Sequence, residues 1–193
     1  MSLELQTDTE VLTSTSANAR GDRYGNLCVV PPYNAFPKHE YLTSTGASSG
    51  NININSNYTT LTEIYHQSTT EFRVYSLAIV ISTATKINQN DYGSISGGLV
   101  NGFDFYYRPA GGSDQKLSNH TIQTNDDFCL ITPDFKITQF EGTAQTINIL
   151  LNINLLFGAP LILYPNDRFL IKLQDNLTPL SQHSFCLNGI MFV

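Results

Sequence analysis

The sequence predicts an all-β fold: an antiparallel β-sandwich wired as an eight-stranded jelly roll, with an extended N-terminal arm. Three observations lead there. Apolar residues recur with a period of two in the clearest segments. Turn signals return about every eight to fifteen residues. No stretch sorts its apolar residues onto one side of a helix. The length, 193 residues, accommodates one domain with a sizeable core. The expected division is an arm over 1–24 and one sandwich over 25–193.

The arm is rich in Thr and Ser and shows no strand or helix period after Val11 and Leu12. Arg20-Gly21-Asp22 lies near its end. Followed by Tyr24-Gly25-Asn26, it reads as turn chemistry rather than as an adhesion motif. Leu27–Val30 predicts a short edge strand, stopped by Pro31 and Pro32. Asn51-Ile52-Asn53-Ile54-Asn55 predicts another edge strand, and β-favouring residues continue from Tyr58 to His66. Glu71 to Ala84 predicts a long strand that is apolar or small on both faces between Val74 and Ile81, as for a central strand or one meeting another subunit.

Leu99 to Arg108 alternates, with Phe103, Phe105 and Tyr107 sharing a face. Leu117–Thr124, Phe128–Thr132 and Phe135–Phe140 predict three further strands, the second ended by Pro133. Gln145 to Phe157 is the clearest segment. Ile147, Ile149, Leu151, Ile153 and Leu155 fall on one face, with Asn148, Asn152 and Asn154 opposite. A helix would scatter these residues, whereas a strand sorts them. Near the end, Phe169, Ile171 and Leu173 alternate with Arg168, Lys172 and Gln174, and Leu170 is the exception. Ile190, Met191, Phe192 and Val193 close the chain and call for a paired, buried strand.

Composition narrows function. Charged residues make up only 13%, net charge is -6, and ten Lys and Arg are dispersed. That argues against nucleic acid as a partner. The acidic start carries no secretory pattern, and the run Leu155–Leu163 is too short and too broken to span a membrane. Cys28, Cys129 and Cys186 are widely spaced and read as small core residues, without a zinc or redox motif.

Catalytic signatures are missing. His39, His66, His120 and His183 form no metal-binding spacing, and no Ser occupies a nucleophile elbow. The Gly97-Gly98 and Gly111-Gly112 pairs lack the helix and Lys of a phosphate loop. Asp126, Asp127, Asp167 and Asp175 read as turn-capping carboxylates; a calcium site at Asp126 or Asp127 stays open as an alternative. Tyr106, Tyr107 and Arg108 read as sheet-face packing, with a sugar- or protein-contacting patch as the alternative. The expectation is therefore a non-enzymatic protein with no catalytic, cofactor or metal residue to name.

Two stretches carry a resemblance. Ala19 to Val30, with Asp22, Gly25 and Val29, resembles the Asp-x-x-Gly-x-x-x-Val entry seen at the start of tailed-phage head and tail structural proteins. Tyr164 to Thr178 is similar to the Pro-Gly-Asp-Arg turn and strand pair of virion jelly rolls, with Asn166 in place of the Gly. Asn still permits the positive φ that Gly adopts in such a turn. The resemblance implies a virion structural protein assembled in host cytoplasm, expected as a capsid decoration (cement) protein. Its implied partners are the capsid shell protein and other copies of itself, as a trimer. The alternative is a receptor- or glycan-binding spike module using loops 33–50, 88–98 and 109–116, or a neck or tail component.

Overall fold

The computed structural model describes residues 18–21, 27–30, 35–47, 50–118, 120–132, 135–139, 144–153 and 160–192; for 18–21, 27–30 and 135–139 it describes the backbone alone. The chain divides into two compact units, Met1–Ala35 and Phe36–Val193. In the first, β1 (Asn18–Gly21) pairs antiparallel with β2 (Leu27–Val30). A strand therefore forms inside the stretch expected to lack one. Asp22 to Asn26, and with them part of the Arg20-Gly21-Asp22 turn, lie outside the described residues.

The second unit is an all-β sandwich of two antiparallel sheets. The larger sheet runs β3 (Ala35–Tyr41), β12 (Gln182–Phe192), β5 (Glu71–Thr83), β9 (Gln145–Asn152), β8 (Phe135–Gln139), with β10 (Leu161–Leu163) pairing the start of β5. The smaller runs β4 (Thr62–Gln67), β11 (Arg168–Leu173), β6 (Phe105–Arg108), β7 (Gln115–Lys116). If β3, β4, β5, β6, β7, β9, β11 and β12 are counted as strands one to eight, the sheets read 1-8-3-6 and 2-7-4-5. The apolar chain end is a paired strand: β12 lies between β3 and β5, with Met191 buried and Ile190 and Phe192 half-buried, while Val193 lies outside the described residues.

The core fills the space between the sheets. Leu77, Ile79 and Ile81 of β5, Ile147, Ile149 and Leu151 of β9, and Phe185 and Leu187 of β12 face Ile64, Phe105, Phe169 and Ile171 of the smaller sheet. Phe103 joins the layers, with ring centroids 5.7 Å from Phe105 and 5.5 Å from Phe185. Each such side chain contributes about 1.5–3 kcal/mol through burial. On β9 the alternation is clean from Ile147 onward, with Leu150 pointing outward.

On β5 the phase of the alternation changes. Phe72 and Val74 are buried, then Leu77, Ile79 and Ile81, so the inward set moves from even to odd numbers at Tyr75. The register with β12 shifts at the same place: Ser76 faces Asn188 and Val74 faces Gly189. One extra residue bulges out of β5, and the same inner face is kept on both sides of it. This accounts for Val74, while Ala78 and Val80 are apolar residues on the outer face itself.

Leu170, the exception on β11, is fully buried, although it lies on the outer face. Its register partners are Tyr65 and Tyr106, which carry Arg168 and Lys172 over their rings at 4.6 and 5.1 Å. The outer side chains thus cover it.

Three local expectations are corrected. Phe128–Thr132 is not a strand. Asn125–Ile131 is a helix, α1, because Asp127 accepts the Thr124 N–H at 2.7 Å and the Gln123 N–H at 2.8 Å. The first is the N-cap donor that a helix start leaves free, and the second ties down the residue before the cap. Leu117–Thr124 forms no strand; its ladder is one bridge, Ile122 to Phe103. Asn51–Asn55 forms none either; it is tied to the start of β12 by the Ile54 N–H to the His183 carbonyl and by Asn53 and Asn55 side chains. Cys129 is exposed on α1 rather than packed in the core, and Cys186 is half-buried. Leu155 lies outside the described residues.

Candidate functional site

The carboxylates flagged in the sequence organise loops. Asp175 accepts the backbone N–H groups of Val100 at 2.7 Å, Asn101 at 3.2 Å and Gly102 at 3.1 Å. Asp167 accepts from Ala110 N–H at 2.8 Å, from the Tyr107 hydroxyl at 2.8 Å and from Tyr164 N–H at 2.9 Å. Its turn places Asn166 at φ 72° after Pro165, the positive φ expected of that Asn. Burial and the Asp167 carboxylate push the Tyr107 hydroxyl up to about 12. Asp127 belongs to the start of α1. Among the described residues, no group of three or more His, Cys, Asp or Glu side chains could hold a metal.

The two sheets differ on their outer faces. On the smaller sheet, Arg108 donates to Glu63 at 3.0 Å and to Asp114 at 3.1 Å; Lys172 pairs with Asp114, and Lys116 with Asp104 at 2.9 Å. The Arg108 hydrogen bonds hold the Asp114 carboxyl down at about 2. The aromatic–arginine patch is thus internally bonded. On the larger sheet, the middle of the outer face carries the uncharged Ser76, Ala78, Val80, Asn148, Leu150 and Asn188; the Arg73–Glu71 pair lies toward one end of it, and Lys136 of β8 is the register partner of Asn148. Leu150 is 45% exposed there.

The histidines do not come together as a set. His183 is fully buried beside Tyr92, and burial pushes its imidazole down to about 3. His39 contacts Asn188 at 2.6 Å on an exposed site. His66 lines a cavity. β3 and β4 are the edge strands of their sheets, and the antiparallel bridge between Thr43 and Tyr65 joins them. That bridge carries Glu40, before it, and His66, after it, to the same side. There they meet with His66 Nδ1 3.9 Å from Glu40 Oε2. The pair lines a groove of about 380 Å³ together with Thr45, Gly46, Gln67 and Met191.

Glu40 and His66 are 5% and 4% exposed, and neither ring nitrogen of His66 has a hydrogen-bond partner among the described residues. Burial lowers the His66 pKa; Glu40 works against that, and Lys38 adds to it. Sequence reasoning missed this pair because 26 positions separate its members (66 − 40 = 26), with no motif around either. The only available signals were a Glu on a short strand interrupted by Pro37 and a His in a β-favouring run.

The fold defines this protein as an all-β, antiparallel two-sheet sandwich. No family model matches the chain, and no curated protein matches it. Among solved structures, the chain is similar to one described as "AvmM Catalyzes Macrocyclization in Alchivemycin A Biosynthesis". The identity is 10% and the TM-score 0.27, over 91% of this chain and 78% of that one. A likeness at that TM-score carries no argument about activity. Among the described residues, no helix is long and apolar enough to cross a membrane.

Proposed function

We propose that this chain is a non-enzymatic virion structural protein of jelly-roll type, a capsid decoration protein that binds the shell protein as a homo-oligomer. The observation that carries this reading is the uncharged middle of the outer face of the larger sheet, from Ser76 and Ala78 across to Leu150. A face without charges desolvates cheaply when another chain covers it. The opposite outer face keeps its charges in pairs. The strand order 1-8-3-6 over 2-7-4-5 supports the jelly-roll reading, as does the turn at Asn166. The carboxylates support a structural role, since Asp127, Asp167 and Asp175 each hold backbone in place.

The test is density-gradient sedimentation of the source material, with mass spectrometry across the fractions. Near-stoichiometric copy number against a shell protein is the expected result, and recovery only in the soluble fraction overturns it. In purified protein, Leu150→Glu is expected to shift sedimentation toward the monomer. A ligand-binding spike module is the second reading, favoured by the groove that Thr45 and Gly46 help to line; they lie in the part of 33–50 that follows β3, since Ala35–Tyr41 of the expected loop is a strand.

A further inference from the structure

The groove between β3 and β4 is built rather than incidental. Gly46 has φ 73°, and a Cβ there would lie 2.1 Å from the Tyr65 ring, so the 44–47 segment lies flat on that ring. The Tyr65 hydroxyl donates to the Thr45 carbonyl at 3.1 Å, and the Thr43 hydroxyl donates to the Ala47 carbonyl at 3.0 Å. Gln67 is held as well, donating to Asn166 at 3.2 Å and accepting from Arg168 at 3.0 Å. The walls are therefore fixed before anything binds, which lowers the cost of binding.

Within these fixed walls sits an imidazole with both nitrogens unpartnered. Buried polar groups are normally hydrogen-bonded, and each unpaired one costs free energy. A ligand that supplied the missing bond would remove that cost. The groove's charge restricts which ligand. Lys38 Nζ lies 3.3 Å from Glu40 Oε1, so the carboxylate is already neutralised and neither a cation nor an anion is preferred. A neutral imidazole offers one donor and one acceptor, and a hydroxyl group can meet either. Met191 and Gly46 supply apolar surface beside these groups. The volume, about 380 Å³, is at the small end of ligand pockets.

We propose that this groove binds a neutral, hydroxyl-rich small ligand, a monosaccharide unit or comparable polyol, with a ligand hydroxyl hydrogen-bonded to the His66 imidazole. The proposal does not rest on the assembly reading above, because the groove lies within one chain.

The experiment is titration of the full chain with methyl glucoside, methyl galactoside, N-acetylglucosamine and sorbitol, each to its solubility limit. Long-range proton–nitrogen NMR follows the histidine ring nitrogens, and His66 is assigned by the signals lost in His66→Phe. The expected result is a saturable shift of the His66 nitrogens with at least one of these compounds, while the His183 signals stay in place. Ala47→Trp, at an exposed residue lining the groove, is expected to weaken that binding at least tenfold without touching the core. A sugar-only response identifies a saccharide site, and a sorbitol response a general polyol site; both support the proposal. No saturable shift with any compound overturns it. So does unchanged affinity in Ala47→Trp.

Discussion

The Tyr92 hydroxyl lies 2.6 Å from His183 Nε2, and neither side chain reaches solvent. The rings meet edge to face at 5.6 Å, with Phe185 on the far side of the imidazole at 4.8 Å. This polar pair ties the Asn88–Gly98 loop to β12 across the core. Removing the hydroxyl leaves a buried ring nitrogen unpaired, so Tyr92→Phe is expected to cost about 1–3 kcal/mol in urea unfolding. The double variant Tyr92→Phe/His183→Phe is expected to cost less than the sum of the singles, because both polar partners disappear together. Additive costs would show that the hydrogen bond contributes nothing.

The same burial sets an acid limit. The unfolded chain protonates His183 near 6.5, whereas the folded chain holds it neutral to about 3. Within that window the unfolded state binds more protons, so stability falls as pH falls, by at most about 1.4 kcal/mol per pH unit from this residue. Denaturation midpoints measured between pH 7 and pH 4 are expected to flatten in His183→Phe. An unchanged slope would refute the assignment.

Gly189 faces the bulge at Tyr75. A Cβ on Gly189 would lie 2.1 Å from the Arg73 carbonyl oxygen, and backbone cannot give way as a flexible side chain can. Gly189→Ala is expected to cost about 3 kcal/mol, the upper part of the overpacking range. Gly111→Ala, where a Cβ meets nothing within 4 Å, is expected to cost about 1–2 kcal/mol, from its φ of 70° alone. Thermal unfolding of the two variants side by side measures the difference.

That bulge shows where the sequence could be read and where it could not. β9 and β11 were legible because Ile147, Ile149 and Leu151, and Phe169, Ile171 and Leu173, hold one phase, although Thr146 and Leu170 are buried out of phase. On β5 the phase switch at Tyr75, with Ala78 and Val80 on the outer face, made a half-exposed strand resemble a doubly covered one. The short helix was obscured differently. Asn125-Asp126-Asp127 is good turn chemistry, and only the Thr124–Asp127 hydrogen bond makes it the start of a helix. The Asn51–Asn55 segment has the alternation of a strand, yet Asn53 and Asn55 spend their side chains on the carbonyls of Leu180 and Ser181 instead of extending a ladder. The groove was the least legible feature, because Glu40 and His66 meet through the β3–β4 bridge and not through any spacing.

Asp175 holds three consecutive N–H groups of 100–102, beside a Val100 that is 86% exposed. The exposed apolar residue is incidental, and the clamp is what shapes the loop. Asp175→Ala leaves those donors without their acceptor and is expected to cost about 3 kcal/mol, with Asp175→Asn nearer 1–2 kcal/mol. Val100→Ser is expected to stay within about 0.5 kcal/mol. If hydrogen exchange at Val100, Asn101 and Gly102 is no faster in Asp175→Ala than in the parent, the clamp is not what holds the loop.

On the outer face of the smaller sheet, Arg108 joins Glu63 of β4 to Asp114, just before β7, and Lys172 of β11 also reaches Asp114. Asp114 titrates at about 2 when folded, against 3.8 unpaired, so its contribution is present above about pH 4 and lost as pH falls through about 2. Arg108 and Asp114 side chains are 23% and 17% exposed, so solvent screens part of this pairing. A lysine keeps the charge but cannot form the guanidinium's paired bonds to two carboxylates. Arg108→Lys is therefore expected to raise the Asp114 pKa toward its ordinary value in an NMR titration and to cost about 1 kcal/mol at neutral pH. Lys172→Met is expected to shift Asp114 less, because the Arg108 bonds are the larger cause of the depression. Equal shifts in the two variants would mean that general charge, not guanidinium geometry, holds the carboxylate down.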